Sequence, residues 1–497
     1  MNAKPNVLFL LSDQHNPHIA GFADNRIVNT QNLDSLAAES AQFDRAYCQF
    51  PLCTPSRLSM WTGLMPHRAH AYGNYAPIPS GILTMPERFA EHGYVTCGVG
   101  KMHVGGKKPM NGFQYRPYGD LKLNSFCAHQ PDPIATAKDQ AWTVHHIAHF
   151  PFAGESEIPE SMLQDGVVTR ETLAFIRDHR QKNPEQPWFV CASYARPHHP
   201  LTAPGRYFRK YWPVGPELEP LPKGFPDDVH PHDKFTIDDY RLTEFSDEER
   251  RRGLAAYYAS VDFLDDCIGN LLQGLDQDGL LENTIIVYTS DHGDLMSEHG
   301  LWWKRSYYEG SVGVPLLIHV PGKTLRNVRV TDVVELLDVF PTLCELCGIP
   351  VPENLDGESL LPLFDESAHG ERKKDFARSD HLGRKETVFR MLRTPEWKYA
   401  EFPEFPPVLF DMVNDPNEER NLAALPEYAE RVKELSERMW SDGESWESLI
   451  ARSKTDRENA GEDSRVRYDC TPNQYALQNG ELVDAEECLY KPYLRSK

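Results

Sequence analysis

Five short, unbroken apolar runs limit the architectures open to this chain of 497 residues. They are Asn6 to Leu11, Tyr94 to Val99, Pro187 to Ser193, Asn283 to Thr289 and Val314 to Pro321. Each is too short for a buried helix and too continuous for a strand with one wet face, so each reads as a strand covered on both sides. Helical spacing fills the segments between them, at Asn32 to Phe43, Met85 to Gly93, Thr169 to His179 and Asp338 to Cys347. A capping box at Ser246-Asp247-Glu248-Glu249 opens a long amphipathic helix through Leu272. Strands alternating with helices imply right-handed crossovers and a mostly parallel sheet sandwiched by helices.

After about Glu366 the pattern changes to short alternating runs around 388–393, 397–399 and 408–410, which predict a small antiparallel sheet followed by a last helix at Tyr428 to Trp440. The chain therefore divides into an α/β domain at 1–365, a small α+β subdomain at 366–450 and a tail at 451–497. The tail is charged and weakly periodic, and is expected to wrap the domain or to meet a second copy of the chain. The stretches 105–159 and 201–239, rich in Pro and poor in periodicity, read as long loops of the kind that shape binding sites.

In open parallel sheets ligands bind beyond the carboxyl ends of the strands. Four of the apolar runs end in chemistry: Asp13-Gln14, then Lys101 and His103, then His198-His199 between prolines, then Asp291-His292. Between the first two lies Pro51 to Gly63, where Thr54 can cap a helix, Pro55 suits its first position and Gly63 can end it. Cys53 then stands at a helix N-terminus, where backbone N–H groups favour an anion, with Arg57 one turn on. Asp13, Asp291, the amide oxygen of Gln14 and a nitrogen of His292 can form the shell of a divalent cation. Arg57, Lys101, His103, His198 and Lys304 supply positive charge and proton-transfer groups, a balance that suits a tetrahedral oxyanion. Singly, each has a plainer reading as a helix cap, a turn or a solvated surface group. Four strand ends converging on one sheet edge outweigh it.

Composition narrows the partners. The formal charge of −22 argues against nucleic acid and against an anionic membrane, so an anionic substrate needs a local cationic pocket. The apolar stretch Val7 to Leu11 is far too short for a signal-peptide core or a membrane span. Ten cysteines lie scattered without metal-finger spacing, and Cys344 and Cys347 fall at a helix end. A cytoplasmic protein with reduced thiols is expected.

Cys53-x-Pro55-Ser56-Arg57, followed by apolar residues and Thr62-Gly63, resembles the signature of the sulfatase family. Gly100-Lys101-x-His103, Pro197-His198, Ser290-Asp291-His292-Gly293 and Gly300-Leu301-Trp302-x-Lys304 follow in that family's order. With the late Trp397-Lys398-Tyr399 and Asp415 to Leu422 the resemblance covers residues 5 to 425 or so. It implies an alkaline-phosphatase-like fold and a sulfuric ester hydrolase in which a maturation enzyme has oxidised Cys53 to formylglycine. The hydrated aldehyde attacks sulfur, the alcohol leaves, and the second hydroxyl expels sulfate. By match, Asp13, Gln14, Cys53, Asp291 and His292 surround the metal, and Asp291 takes the nucleophile's proton. Lys101 and His103 handle the diol, His198 and Lys304 bind sulfate and protonate the leaving oxygen, and Arg57 orients the nucleophile; His199 is the alternative to His198.

Two departures stand out. Many sulfatases carry consecutive aspartates where this chain has Asp13-Gln14, and an asparagine where it has His292. Calcium is the family's usual ion, while the nitrogen donor raises the case for manganese, with magnesium a third option. Asp-Gln also occurs in choline-sulfatase-like and phosphonate monoester hydrolase members. A phosphonate or phosphate ester hydrolase is therefore the enzymatic alternative, and a non-catalytic binding relative the other. The expected substrate is a small or carbohydrate sulfate ester, since the Trp303, Tyr307, Tyr308, Glu309 region resembles sugar-sulfate enzymes.

Overall fold

The computed structural model describes residues 4–459 other than 75, 105–109, 111, 120–149, 324, 327, 366–371 and 384–386, and the backbone alone of 460–463, 474–476 and 482–484. Seven strands form the central sheet: β1 (Asn6–Asp13), β2 (Ala41–Tyr47), β3 (Val95–Gly100), β4 (Trp188–Pro197), β5 (Thr284–Ser290), β6 (Gly313–His319) and β7 (Val328–Glu335). Their order is β3-β4-β1-β5-β6-β2-β7. All neighbours pair in parallel except β6, which runs antiparallel to both β5 and β2.

The five apolar runs are all strands of this sheet, and β1 is buried along its whole length. Its side chains alternate between two cores. Leu8 and Leu10 join one, against the helices Gln164–Lys182 and Asp247–Gln277. Val7, Phe9 and Leu11 join the other, against the helices Met85–Glu91, Cys53–Thr62 and Val339–Leu346. Each large apolar side chain removed from water this way contributes about 1.5–3 kcal/mol. The long helix opens with the expected capping box, Ser246 and Glu249 exchanging bonds with each other's backbone N–H.

Two strands lack an apolar run. The helix expected at Asn32 to Phe43 stops at Ala38, and the chain turns into β2, whose Asp44 is exposed and whose register shifts at a bulge after Phe43. That irregularity broke the period-two pattern. At the sheet's edge β7 is half exposed, so its sequence alternates with polar residues. The stretch 201–239 is also more ordered than a loop. It contains the helices Gly205–Tyr211 and Pro231–Asp239, and its Thr202–Ala203 pairs in parallel with Gly154–Glu155. Tyr207, Phe208 and Tyr211 anchor the first of these helices in the core. Most of the other expected binding loop, at 105–109, 111 and 120–149, lies outside the described residues.

The small antiparallel sheet is β8 (Ala377–His381), β9 (Phe389–Arg393), β10 (Trp397–Glu401) and β11 (Val408–Asp411), in that order. Helix Ala429–Met439 packs on it and is not the last: a further helix, Trp446–Asp463, runs through residue 451. Its Leu449 is buried with Phe50, Leu52 and Tyr72, and Asp456 pairs with His70 at 2.9 Å, so the start of the tail docks on the α/β domain. Beyond it, 464–473, 477–481 and 485–497 lie outside the described residues, and with them most of the tail expected to reach a second copy.

Candidate active site

Cys53 is the first residue of helix α1 (Cys53–Thr62). Thr54 does not cap this helix. Its hydroxyl donates to the carbonyl of His103, whose backbone is left-handed (φ 52°), and so ties the His103 turn to the helix. The cap comes from outside the segment: the N–H of Thr54 donates to Oδ1 of Asn74 at 3.1 Å. Gly63 ends the helix at φ 68°, as its freedom from a Cβ permits.

The strand ends meet in front of Cys53. Arg57 is wholly buried and spans both carboxylates, Nη2 on Asp13 Oδ2 and Nε on Asp291 Oδ2, each at 2.8 Å. Its Nη1 donates to the carbonyl of Lys101 and to Ser193 Oγ (3.0 Å), which joins the ends of β1, β3, β4 and β5 through one guanidinium. Lys101 Nζ takes Asp13 Oδ2 at 2.8 Å. Each carboxylate thus commits one oxygen outward and turns Oδ1 toward the Cys53 and His292 side, where Asp13 Oδ1 lies 3.9 Å from Cys53 Sγ and Asp291 Oδ1 lies 3.6 Å from His292 Nε2. His292 Nδ1 is bound to the carbonyl of Gly293 at 2.8 Å; a carbonyl accepts only, so Nδ1 carries hydrogen and the ring, when neutral, presents an Nε2 lone pair. That Nε2 stands 3.3 Å from Cys53 Sγ.

Gln14 (φ 66°) is fixed from both ends: Nε2 donates to Asp294 and Oε1 accepts from Lys304 Nζ at 2.7 Å. The same Nζ reaches Cys53 Sγ at 3.1 Å and His292 Nε2 at 3.3 Å. His198 Nε2 lies 3.8 Å from Asp13 Oδ1, and His103 and His198 both stand beside the Cys53 thiol. His199 instead lies tilted against His198, with ring centroids 3.7 Å apart. All ten residues singled out from the sequence gather here.

Electrostatics follow from this crowding. Burial pushes the Cys53 thiol up, but Lys101, Lys304 and His292 outweigh it and hold the thiol well below its ordinary value. Asp13 is also held low, because Lys101, His198 and Arg57 overcome burial and the nearby sulfur. Asp291 goes the other way, raised by burial and by Asp13. Burial together with Lys101 and Lys304 keeps His198 well below its usual range.

The residues fit a divalent cation. Ligand atoms of Asp13, Cys53, Asp291 and His292 all lie within 4.8 Å of one another, and all four residues are buried. Gln14 Oε1, Cys53 Sγ and His292 Nε2 already surround the ammonium of Lys304, so these donors receive positive charge in the structure itself. Three supporting residues escaped the sequence reading. Asp294 orients Gln14 and was visible as the second carboxylate of Asp-His-Gly-Asp; Ser193 closes an apolar run and looked structural; Asn74 had no signal at all.

The sulfatase family model matches residues 5–349 of this chain. The chain belongs to the sulfatase family. A second model, that of the N-sulphoglucosamine sulphohydrolase C-terminal region, matches residues 297–444. This sulfatase is 32% identical over 438 residues to a choline-sulfatase of Rhizobium meliloti (strain 1021), covering 85% of the chain and 83% of that protein. It is 30% identical over 441 residues to arylsulfatase K of Bos taurus, covering 84% and 78%. The crystal structure of the phosphonate monoester hydrolase of Agrobacterium radiobacter superposes with a TM-score of 0.73 at 22% identity, covering 97% of the sulfatase and 99% of that chain. That likeness carries the alkaline-phosphatase-like fold and not the reaction. The sulfatase is a sulfuric ester hydrolase, which cleaves an organic sulfate ester to an alcohol and sulfate.

Proposed function

We propose that the mature enzyme carries formylglycine at position 53 and a divalent cation between Asp13, Gln14, Asp291 and His292, and that its substrate is a small organic sulfate ester, carbohydrate or otherwise. The observation that carries this reading is the meeting of Cys53 Sγ with the carboxylates of Asp13 and Asp291 and with His292 Nε2 inside one buried cluster. When present, the cation supplies charge that polarises the sulfate oxygens. The hydrated aldehyde supplies an oxygen nucleophile where the thiol now stands.

This chain's own residues do the rest. Asp291, raised by its surroundings, takes the nucleophile's proton. Lys101 and His103 hold the two oxygens that replace the sulfur. His198 and Lys304 face the sulfate and protonate the leaving alcohol. Arg57 keeps both carboxylates turned inward. Cys53, Asp13 and Asp291 are buried and closely packed, so the nucleophile is aligned before substrate arrives.

The family's usage favours calcium, while the imidazole donor gives manganese an advantage that an all-oxygen shell would not. The choline-sulfatase likeness supports a small substrate. The seven described cysteines are all free thiols, which supports a cytoplasmic enzyme matured by a formylglycine-generating activity; cell fractionation tests the compartment. Among the described residues, no helix is long and apolar enough to cross a membrane.

Three measurements test the chemistry. Protein from its natural source should yield a Cys53 peptide that reacts with an aminooxy reagent, and an unmodified thiol without turnover of any sulfate ester would overturn the reading. Chelation should abolish hydrolysis, and calcium or manganese, added separately, should restore it. Matched sulfate and phosphonate esters, assayed side by side, should show the sulfate preferred.

A further inference from the structure

Two sequence motifs have no part in the chemistry above: Trp397-Lys398-Tyr399 on β10, and the loop from Asp415 to Leu422 after β11. The fold brings one residue of each to a single point on the catalytic domain. Lys398 Nζ bridges Glu309 Oε1 and Glu418 Oε1, at 2.6 Å to each, and Glu418 Oε2 accepts the backbone N–H of Glu309 at 2.7 Å. Lys398 and Glu418 are both buried. From the catalytic side Tyr47 donates to Glu309 Oε2 at 2.8 Å, and from β9 of the C-terminal subdomain Arg393 Nε lies 3.6 Å from Glu309 Oε1. A buried charge in such a group is costly unless every partner is in place, so the arrangement fixes Glu309 closely.

Glu309 opens a short helix, Glu309–Val312, on which two parts of the active site rest. The N–H of Gly293, next to His292, donates to the carbonyl of Ser311 at 3.0 Å. The approach is so close that a Cβ on Gly293 would stand 2.0 Å from the carbonyl oxygen of Gly310. On the other side, the N–H of Ser306, two residues after Lys304, donates to Ser311 Oγ at 3.2 Å. Ser311 is therefore a shared footing for the His292 turn and the Lys304 loop. Its position is set by Glu309, and that of Glu309 by the C-terminal subdomain.

We propose that Lys398 and Glu418 are positioning residues: through Glu309 they hold the short helix that sets where His292 and Lys304 stand. The inference rests on the reading of His292 as an ion donor and Lys304 as a substrate cation. It makes the C-terminal subdomain a working part of the active site.

The test compares Glu418→Ala, Glu418→Gln and the double variant Lys398→Met/Glu418→Gln with Arg378→Met. Arg378 pairs with Asp442 at 2.7 Å within the same subdomain, away from Glu309. Readouts are kcat and KM on a sulfate ester, Mn2+ binding to chelator-stripped protein, and Tm. Glu418→Ala and the double variant should lose about tenfold or more in both kcat and Mn2+ affinity. Glu418→Gln, whose amide oxygen can still take the Glu309 N–H, should stay close to wild type. Arg378→Met should lower Tm while leaving kcat and Mn2+ affinity unchanged. Equal kcat and Mn2+ affinity in Glu418→Ala and Arg378→Met would overturn the proposal, and if the double variant does not fold, Glu418→Ala alone decides. Absence of Mn2+ binding by wild type would instead overturn the reading of the site itself.

Discussion

Arg57 does more than its place in the signature suggests. One guanidinium touches Asp13, Asp291, the Lys101 carbonyl and Ser193, a geometry that needs a planar fork of donors. Lysine has a single ammonium with three donors and cannot hold both carboxylates, the Lys101 carbonyl and Ser193 at once. Arg57→Lys should therefore reduce turnover and divalent-ion affinity by about 10- to 100-fold, read by steady-state kinetics and metal titration. Glu418 makes a second prediction. Burial, with the carboxylate of Glu309 beside it, pushes Glu418 up to about 7 against the pull of Lys398, while Lys398 and Arg393 overcome burial and hold Glu309 down at about 2. Between the unfolded value near 4.5 and about 7 the native state keeps a proton that the unfolded chain has lost, so this group's contribution to stability falls as pH rises through that window. Glu418→Gln removes the titration. Its Tm relative to wild type should climb from pH 5 to pH 8, and a flat difference would sink the assignment. At this scale the sequence was most legible where a polar residue terminates an apolar run, as at Asp13, Lys101 and Asp291. Asn74 and Glu418 were opaque because their partners, Thr54 and Glu309, lie far along the chain and only folding brings them together.

Elements were readable in proportion to how uniformly they are buried. Strand β1 is covered on both faces and announced itself; β2 is kinked by a bulge and β7 is wet on its outer side, so neither left a clean period. The helices at 205–211 and 231–239 were masked by prolines, which proved to stand before or at their first turns, where a missing N–H costs nothing. The turn after β5 is the most demanding element. Gly293 is there because the backbone of the Glu309–Val312 helix passes where a side chain would begin. Gly293→Ala should push the His292 turn off its footing, destabilise the fold by about 2 kcal/mol and cost most of the activity. Tm and kcat should fall together, and a variant that keeps wild-type kcat would show that the turn has slack.

For the whole molecule, a mostly parallel sheet between helices and a small antiparallel sheet followed from pattern, but the way the C-terminal part is built into the catalytic domain did not. Such contacts join residues hundreds of positions apart and leave no local period. Leu449 illustrates this, since most of the helix that carries it, from residue 451 on, read as a charged tail, yet Leu449 is buried with Phe50 and Leu52, immediately before Cys53. Leu449→Ala should cost about 3 kcal/mol, visible as a lower Tm and as protease cleavage between the small sheet and the last helix. An unchanged Tm would show that helix to be loosely attached.

The enclosure of Cys53 has one more consequence. Its side chain is 1% exposed and ringed by Lys304, His292 and Asp13, so no second protein could draw it into a catalytic cleft once the sheet edge has closed. Any oxidation of this thiol by a dedicated enzyme must then happen on the nascent or newly released polypeptide. On the formylglycine reading proposed above, whether a given molecule becomes active is decided in that brief interval, and a chain that folds first is a finished but inert casting.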